Sequence, residues 1–95
     1  MATYIGLHNY TVAGIQNIDQ TVERAETFRR MAGERDITVR NIYWTQGEFD
    51  IISIVEGAEE AVNSLYLQLR KEGNVNSKVI RAFSPAEMTT MVMGF

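Results

Sequence analysis

Residues 49–55 read Phe-Asp-Ile-Ile-Ser-Ile-Val, and no other stretch limits the possible folds as strongly. β-Branched residues preceded by a turn signal make this a strand. Side chains alternate along a strand, so Phe49, Ile51 and Val55 fall on one face and Ile52 and Ile54 on the other. A strand with one face in water is polar at alternate positions, and this one is not. Two further strand segments share the property. Residues 37–46 set Ile37, Val39 and Tyr43 against Ile42 and Trp44, and residues 3–10 set Ile5 and Leu7 against Tyr4, His8 and Tyr10. The chain must therefore cover both faces of a sheet.

The remaining segments supply cover for one face. From about Asp19 to Glu34 apolar residues recur at helical spacing (Ile18, Val22, Ala25, Phe28, Ala32), with Glu23, Arg24, Glu26 and Arg30 outside. Gly14 and Asn17 before it mark a loop or a single turn. A second helix opens at Gly57-Ala58-Glu59-Glu60 and carries Val62, Leu65, Tyr66 and Leu69 on one side, and Gly73 supplies its stop. Residues 75–83 form a fourth strand. Ser84-Pro85-Ala86-Glu87 is a capping box with proline at the first helical position, which predicts a short C-terminal helix with Met88, Met91, Val92 and Phe95 as its apolar side. Gln46-Gly47-Glu48 joins strands two and three as a short hairpin.

This order predicts an α+β fold of the ferredoxin-like βαββαβ type: a four-stranded antiparallel sheet, two helices on one face and a short C-terminal helix. Two helices cover only one face. The second apolar face predicts a homodimer or higher oligomer pairing sheet to sheet, with the C-terminal helix extending the contact. The competing arrangement folds that helix over the second face of its own sheet.

Composition narrows function mainly by exclusion. Ninety-five residues without a linker make one domain over 1–95, and 45% hydrophobic residues rule out disorder. No cysteine is present, which excludes disulfides, zinc–thiolate sites and cysteine nucleophiles, and one histidine cannot build a histidine-rich metal site. A net charge of −3 is no footprint for nucleic acid, and no apolar run is long enough to enter a membrane as a spanning helix. Met1-Ala2-Thr3 opens without a basic leader region, which predicts a cytoplasmic protein. Phosphate loops, dinucleotide fingerprints, calcium loops and nucleophile elbows are missing, so no cofactor and no metal are expected.

Few residues then remain as candidates for chemistry. His8 titrates near neutral pH without help and shares a strand face with Tyr4 and Tyr10, where the three can line a cavity between paired sheets. The alternative is a partly buried histidine bonded to backbone or a neighbouring tyrosine. Glu48 and Asp50 flank Phe49 on one face; Asp50, a charge within an apolar strand, needs a partner or a catalytic task. His8 and Asp50 are thus the catalytic candidates. Tyr4, Tyr10, Arg40 and Trp44 are the ligand-binding candidates: Arg40 as an anion clamp or the partner of Asp50 or Glu56, and Trp44 with Tyr43 as a stacking wall or interface. Arg81 carries the same two readings as Arg40. The five methionines, three in the last eight residues, indicate an adaptable packing surface.

Several of these segments resemble one family. Tyr43-Trp44-Thr45-Gln46-Gly47-Glu48-Phe49-Asp50, Ile54-Val55-Glu56, Gly73-Asn74-Val75 and Arg81-Ala82-Phe83-Ser84-Pro85 with Glu87 are similar to the GYD domain family, as is Thr3-Tyr4-Ile5 followed by Thr11, Gly14 and Ile15. The sequence departs at Phe49, where the family's naming motif carries tyrosine, so no role resting on that hydroxyl transfers. The resemblance implies a small bacterial or archaeal protein, without an established biochemical function, related to dimeric α+β barrels. It leaves two expectations for function: a homo-oligomeric structural or small-ligand-binding protein, or a cofactor-independent oxygenase or isomerase with an inter-sheet cavity near His8. Its expected partners are itself and a small molecule.

Overall fold

The computed structural model describes all 95 residues. Four strands, β1 (Ala2–Tyr10), β2 (Thr38–Trp44), β3 (Ile51–Gly57) and β4 (Val75–Ala82), form an open antiparallel sheet in the order β2-β3-β1-β4. Four helices accompany it: α1 (Val12–Gln16), α2 (Thr21–Gly33), α3 (Glu59–Glu72) and α4 (Pro85–Val92). None is long and apolar enough to cross a membrane.

The long helices lie on one face of the sheet and seal a single core. Phe28, Met31 and Ala32 of α2 meet Val62, Leu65 and Tyr66 of α3 over Tyr4 of β1, Val55 of β3 and Ile37. Amphipathic spacing produces α3 as expected, and it ends on Gly73 in the left-handed conformation (φ 81°). The inner face of α2 differs from expectation. Ile18 belongs to a separate 3-10 turn (Ile18–Gln20), and Val22, six residues before Phe28, is rotated about 120° away from it; both are exposed, and Met31 takes the buried place. The segment read as a loop or single turn holds α1, capped by the Thr11 hydroxyl, which accepts from the Gly14 amide at 3.1 Å. Gly14 is confined by the Asn74 carbonyl, which occupies the space a Cβ would need.

Strand parity is read correctly on β1 and β3 and incorrectly on β2. A bulge at Arg40 places an extra residue between Val39 and Asn41, so Val39 pairs with Val55 while Asn41 pairs with Ile54. Val39 and Ile42 consequently both pack against the core, and Tyr43 turns to the other face. The hairpin is also longer than read: β2 ends at Trp44 and β3 begins at Ile51.

The face away from the helices carries two apolar rows, read directly from the register. Ile54, Ile5 and Ile80 lie abreast on β3, β1 and β4; Tyr43, Ile52 and Leu7 lie abreast on β2, β3 and β1, with Lys78 beyond. No helix of the chain covers them. Apolar residues are thus present on both faces, as the strand patterns require, and only one face is buried within the chain.

Candidate functional site

Alternation along β1 sends Tyr4, Gly6 and His8 to the helix-covered face. Register then selects the neighbours of His8. Ser77 on β4 stands directly opposite it, and Ser53 on β3 stands opposite Gly6, one step along. The His8 Nδ1 lies 2.7 Å from the Ser77 hydroxyl, and Nε2 lies 2.9 Å from the Ser53 hydroxyl. From above, α3 lowers Tyr66 so that its hydroxyl meets Ser53 at 2.8 Å. The result is a buried chain, Ser77–His8–Ser53–Tyr66, beneath the Phe28 ring.

Gly6 makes room for this chain. A Cβ at that position would stand 2.5 Å from the Ser53 hydroxyl, 2.6 Å from His8 Nε2 and 2.8 Å from the Tyr66 hydroxyl. Tyr66 and Ser53 share one hydrogen bond between their hydroxyls, and neutral His8 uses both ring nitrogens, one donating and the other accepting, toward Ser53 and Ser77. Burial, aided by the positive charge of Arg70, lowers the His8 pKa from 6.5 to about 4. Burial likewise raises the Tyr66 pKa to about 12. Both groups are neutral at physiological pH, and every polar atom of the chain that is fully buried has a partner.

A cleft opens from this network between the sheet and the helices. Its lower wall includes His8, Ser53 and Ile51, its flanks include Phe28 and Leu69, and its rim carries Arg24 and Glu72. A second cluster stands at the mouth. Thr21, at the start of α2, receives the Trp44 indole N–H at 3.0 Å and lies 2.8 Å from the Tyr10 hydroxyl. The cavity is about 60 Å³, room for several waters or a small organic group. Its walls are mostly apolar, with polar groups at floor and mouth.

The candidates separate on this geometry. His8, Tyr10 and Trp44 come together around the cleft. The cavity lies between sheet and helices, which corrects the placement of His8, Tyr4 and Tyr10 between paired sheets; the parity was right, but the face they share is the one the helices cover. Tyr4 is part of the core, its ring 5.6 Å from the Arg81 guanidinium, and does not line the cleft. Arg40 is on the opposite face, paired with Glu56. Asp50 accepts from the Tyr10 amide at 2.9 Å and donates its own amide to the His8 carbonyl at 2.9 Å, so its carboxylate ties the β2–β3 hairpin to β1. The residues missed were Ser53, Ser77, Tyr66, Thr21 and Arg24. Ser53 left a signal: one hydroxyl in an apolar strand, on the parity of Ile51 and Val55.

The model of the GYD domain family matches residues 4–92. The chain is a member of the GYD domain family. Comparison with curated proteins gives no match. In this GYD domain the hairpin and the Arg81–Glu87 segment have identifiable structural work. Thr45, Phe49 and Asp50 close the hairpin, where the Thr45 hydroxyl donates to the Phe49 carbonyl at 2.6 Å. At the other end Ser84, Glu87 and Arg81 build the α4 junction.

The chemistry open to this GYD domain is limited by the state of His8. A general base works best with a pKa near the working pH. Both His8 nitrogens are engaged, and its pKa is about 4. The network thus fixes shape and polarity at the cleft floor. It holds a neutral acceptor and donor set in place.

Proposed function

We propose that this GYD domain binds a small, mainly apolar molecule in the cleft between the sheet and helices α2 and α3. One observation carries the reading: the cleft joins a polar floor (His8 and Ser53, the latter held from behind by Tyr66) to an aromatic mouth (Tyr10, Trp44) around empty space. The bound molecule presents one polar group to the floor and its apolar part to Phe28, Ile42 and Leu69. The engaged, neutral His8 favours binding over the oxygenase or isomerase alternative, which requires a base. We further propose that the chain is a ferredoxin-like unit that pairs through its open sheet face as a dimeric α+β barrel, and that it works in the bacterial cytoplasm. The two apolar rows on that face support the pairing, because patches of this kind on small proteins usually mark an interface.

Trp44 is the only tryptophan and stands at the cleft mouth, so its fluorescence reports occupancy directly. A library of small alcohols, aldehydes, lactones and phenols is screened by Trp44 emission, and hits are mapped by amide chemical shifts. The reading expects shifts centred on His8, Tyr10, Ser53 and Val75. Hits that map instead to Ile5, Ile54 and Ile80, or no saturable change across the library, would refute it.

A further inference from the structure

One half-buried charge beside the cleft has no task in the fold that uses its sign. Helix α2 turns Thr21, Arg24, Ala25 and Phe28 toward the cleft, the i, i+3, i+4 and i+7 positions of one helix face. The stripe is apolar where it runs inward, at Ala25 and Phe28, and polar where it reaches the mouth, at Thr21 and Arg24. Arg24 is the only arginine or lysine lining the cleft. Its guanidinium donates to the main-chain carbonyls of Asn17 at 2.9 Å and Gly14 at 3.4 Å. Gly14 in turn abuts the Asn74 carbonyl and the Tyr10 ring, both in the cleft wall. The charged end of Arg24, and not only its hydrocarbon stem, therefore stands at the mouth.

The two carbonyls occupy two of the five N–H groups of the guanidinium and cancel none of its charge. The ion pairs of the chain, Arg40–Glu56 and Arg81–Glu87, lie elsewhere. Glu72, the one carboxylate lining the opening, is exposed to water and does not pair with Arg24. A second donor adjoins. The Tyr10 and Thr21 hydroxyls share one hydrogen bond, and Thr21 also accepts the Trp44 indole N–H. Two hydroxyls carry two protons, and their mutual bond uses one. Whichever way that bond runs, one hydroxyl proton at the mouth has no acceptor within the chain. Around Arg24 the mouth thus offers N–H and O–H donors that the fold itself does not use.

We propose that the molecule bound in the cleft is a small carboxylic acid, its carboxylate held at the mouth by Arg24 and the spare hydroxyl proton of the Tyr10–Thr21 pair. The inference rests on the binding reading above and adds the charge of the ligand and the residue that selects it. A guanidinium with free N–H groups takes a carboxylate through charge-assisted bonds, which are stronger than bonds to a neutral group. Arg24 is half-buried, so salt screens the attraction less than between surface charges. The hydrocarbon body of the acid then lies on Phe28 and Leu69, and a hydroxyl or carbonyl at its far end reaches His8 and Ser53. A cationic ligand finds only the exposed Glu72 at the same opening and meets Arg24 as a like charge. A hydroxyaryl acid carries the required parts in order: carboxylate, flat apolar ring, hydroxyl.

Titration of the full chain with para-hydroxyphenylacetate and with its neutral counterpart para-hydroxyphenylacetamide, followed by amide chemical shifts, tests this. The acid should bind about tenfold more tightly than the amide, the worth of one charge-assisted contact, and both should shift His8, Ser53 and Val75. Arg24→Gln should abolish the preference for the acid and leave the affinity for the amide as it was. Arg24→Lys keeps the charge without the planar fork and should retain part of the preference. Glu72→Gln removes a like charge and should not weaken the acid. Equal wild-type affinity for acid and amide overturns the carboxylate and leaves the binding reading standing. Acid and amide weakened alike by Arg24→Gln make Arg24 a brace for α1 and overturn its part in selection. Acid weakened by Glu72→Gln overturns the charge argument. Saturable binding of neither probe overturns the inference together with the reading beneath it. Dispersed amide spectra separate lost contact from lost fold, and the wild-type comparison of acid with amide decides the matter even where Arg24→Gln does not fold.

Discussion

The buried histidine makes stability pH-dependent in a direction and amount that follow from the structure. In the unfolded chain His8 titrates at its ordinary 6.5, whereas burial and Arg70 lower its pKa to about 4 in the native state. Between those values the unfolded chain binds a proton that the folded chain refuses. Stability contributed by neutral His8 is therefore complete above pH 6.5 and falls as pH drops toward 4. At ~1.36 kcal/mol per pH unit, the interval from 6.5 to about 4 amounts to about 3 kcal/mol. That is a large fraction of the 5–15 kcal/mol typical of a whole domain. Urea denaturation at pH 7.5, 6.5, 5.5 and 4.5, at one protein concentration, measures the slope. His8→Gln keeps a donor and an acceptor but does not titrate, so the difference between the two pH profiles isolates His8 from the carboxylates. The chain has one histidine, so its NMR resonance can be followed unambiguously. A native midpoint near 6.5, or parallel pH profiles for wild type and His8→Gln, would refute the account.

Three further substitutions probe the same architecture. Gly6→Ala drives a methyl into Ser53, His8 and Tyr66 and should cost about 1–3 kcal/mol, read as a drop in Tm with the His8 resonance displaced; an unchanged Tm would show that the network is not held as described. Ser53→Ala leaves the Tyr66 hydroxyl and His8 Nε2 without their partner and should cost about 1–3 kcal/mol in urea, a change below 0.5 kcal/mol counting against the wiring. Arg40→Ala should cost at most ~1 kcal/mol, because the Arg40 side chain is 60% exposed and an exposed ion pair is screened; a larger loss measured in urea would assign Arg40 more than its pair with Glu56.

Periodicity and punctuation made most of the architecture legible. The capping box at Ser84, the stop at Gly73 and the inner face of α3 depend on neighbours within a few residues, and local sequence encodes them directly. What was not legible depends on partners distant in the chain. The bulge at Arg40 reverses the parity of Tyr43 relative to Val39, and nothing in residues 37–46 marks it, because it is set by pairing with β3. His8 shows the same limit at the site. Its face was readable from alternation, but which face the helices cover was not, because each face offers comparable apolar cover. Ser77 and Tyr66 are 69 and 58 residues from His8 and meet it only through register and helix docking.

Gly6 and Gly14 show why the cleft lies where it does. At Gly6 the missing side chain admits three polar groups into a space that an alanine would occupy, so the core carries a hydrogen-bonded network where a methyl would otherwise pack. At Gly14 the missing side chain lets α1 close against the Asn74 carbonyl, which brings the end of α3 beside the end of β1. The two glycines act on successive levels of the same space: one hollows the floor, the other draws in the wall beside the mouth. A polar core of this kind stabilises less than an apolar one of equal volume, since its gain is offset by desolvation. What it provides is a fixed arrangement of donors and acceptors beneath an aromatic opening. On the binding proposed above, discrimination among small ligands rests on that arrangement, because a ligand whose own polar group finds no partner there is buried at a cost of ~1–3 kcal/mol, a factor of roughly 5 to 150 in affinity.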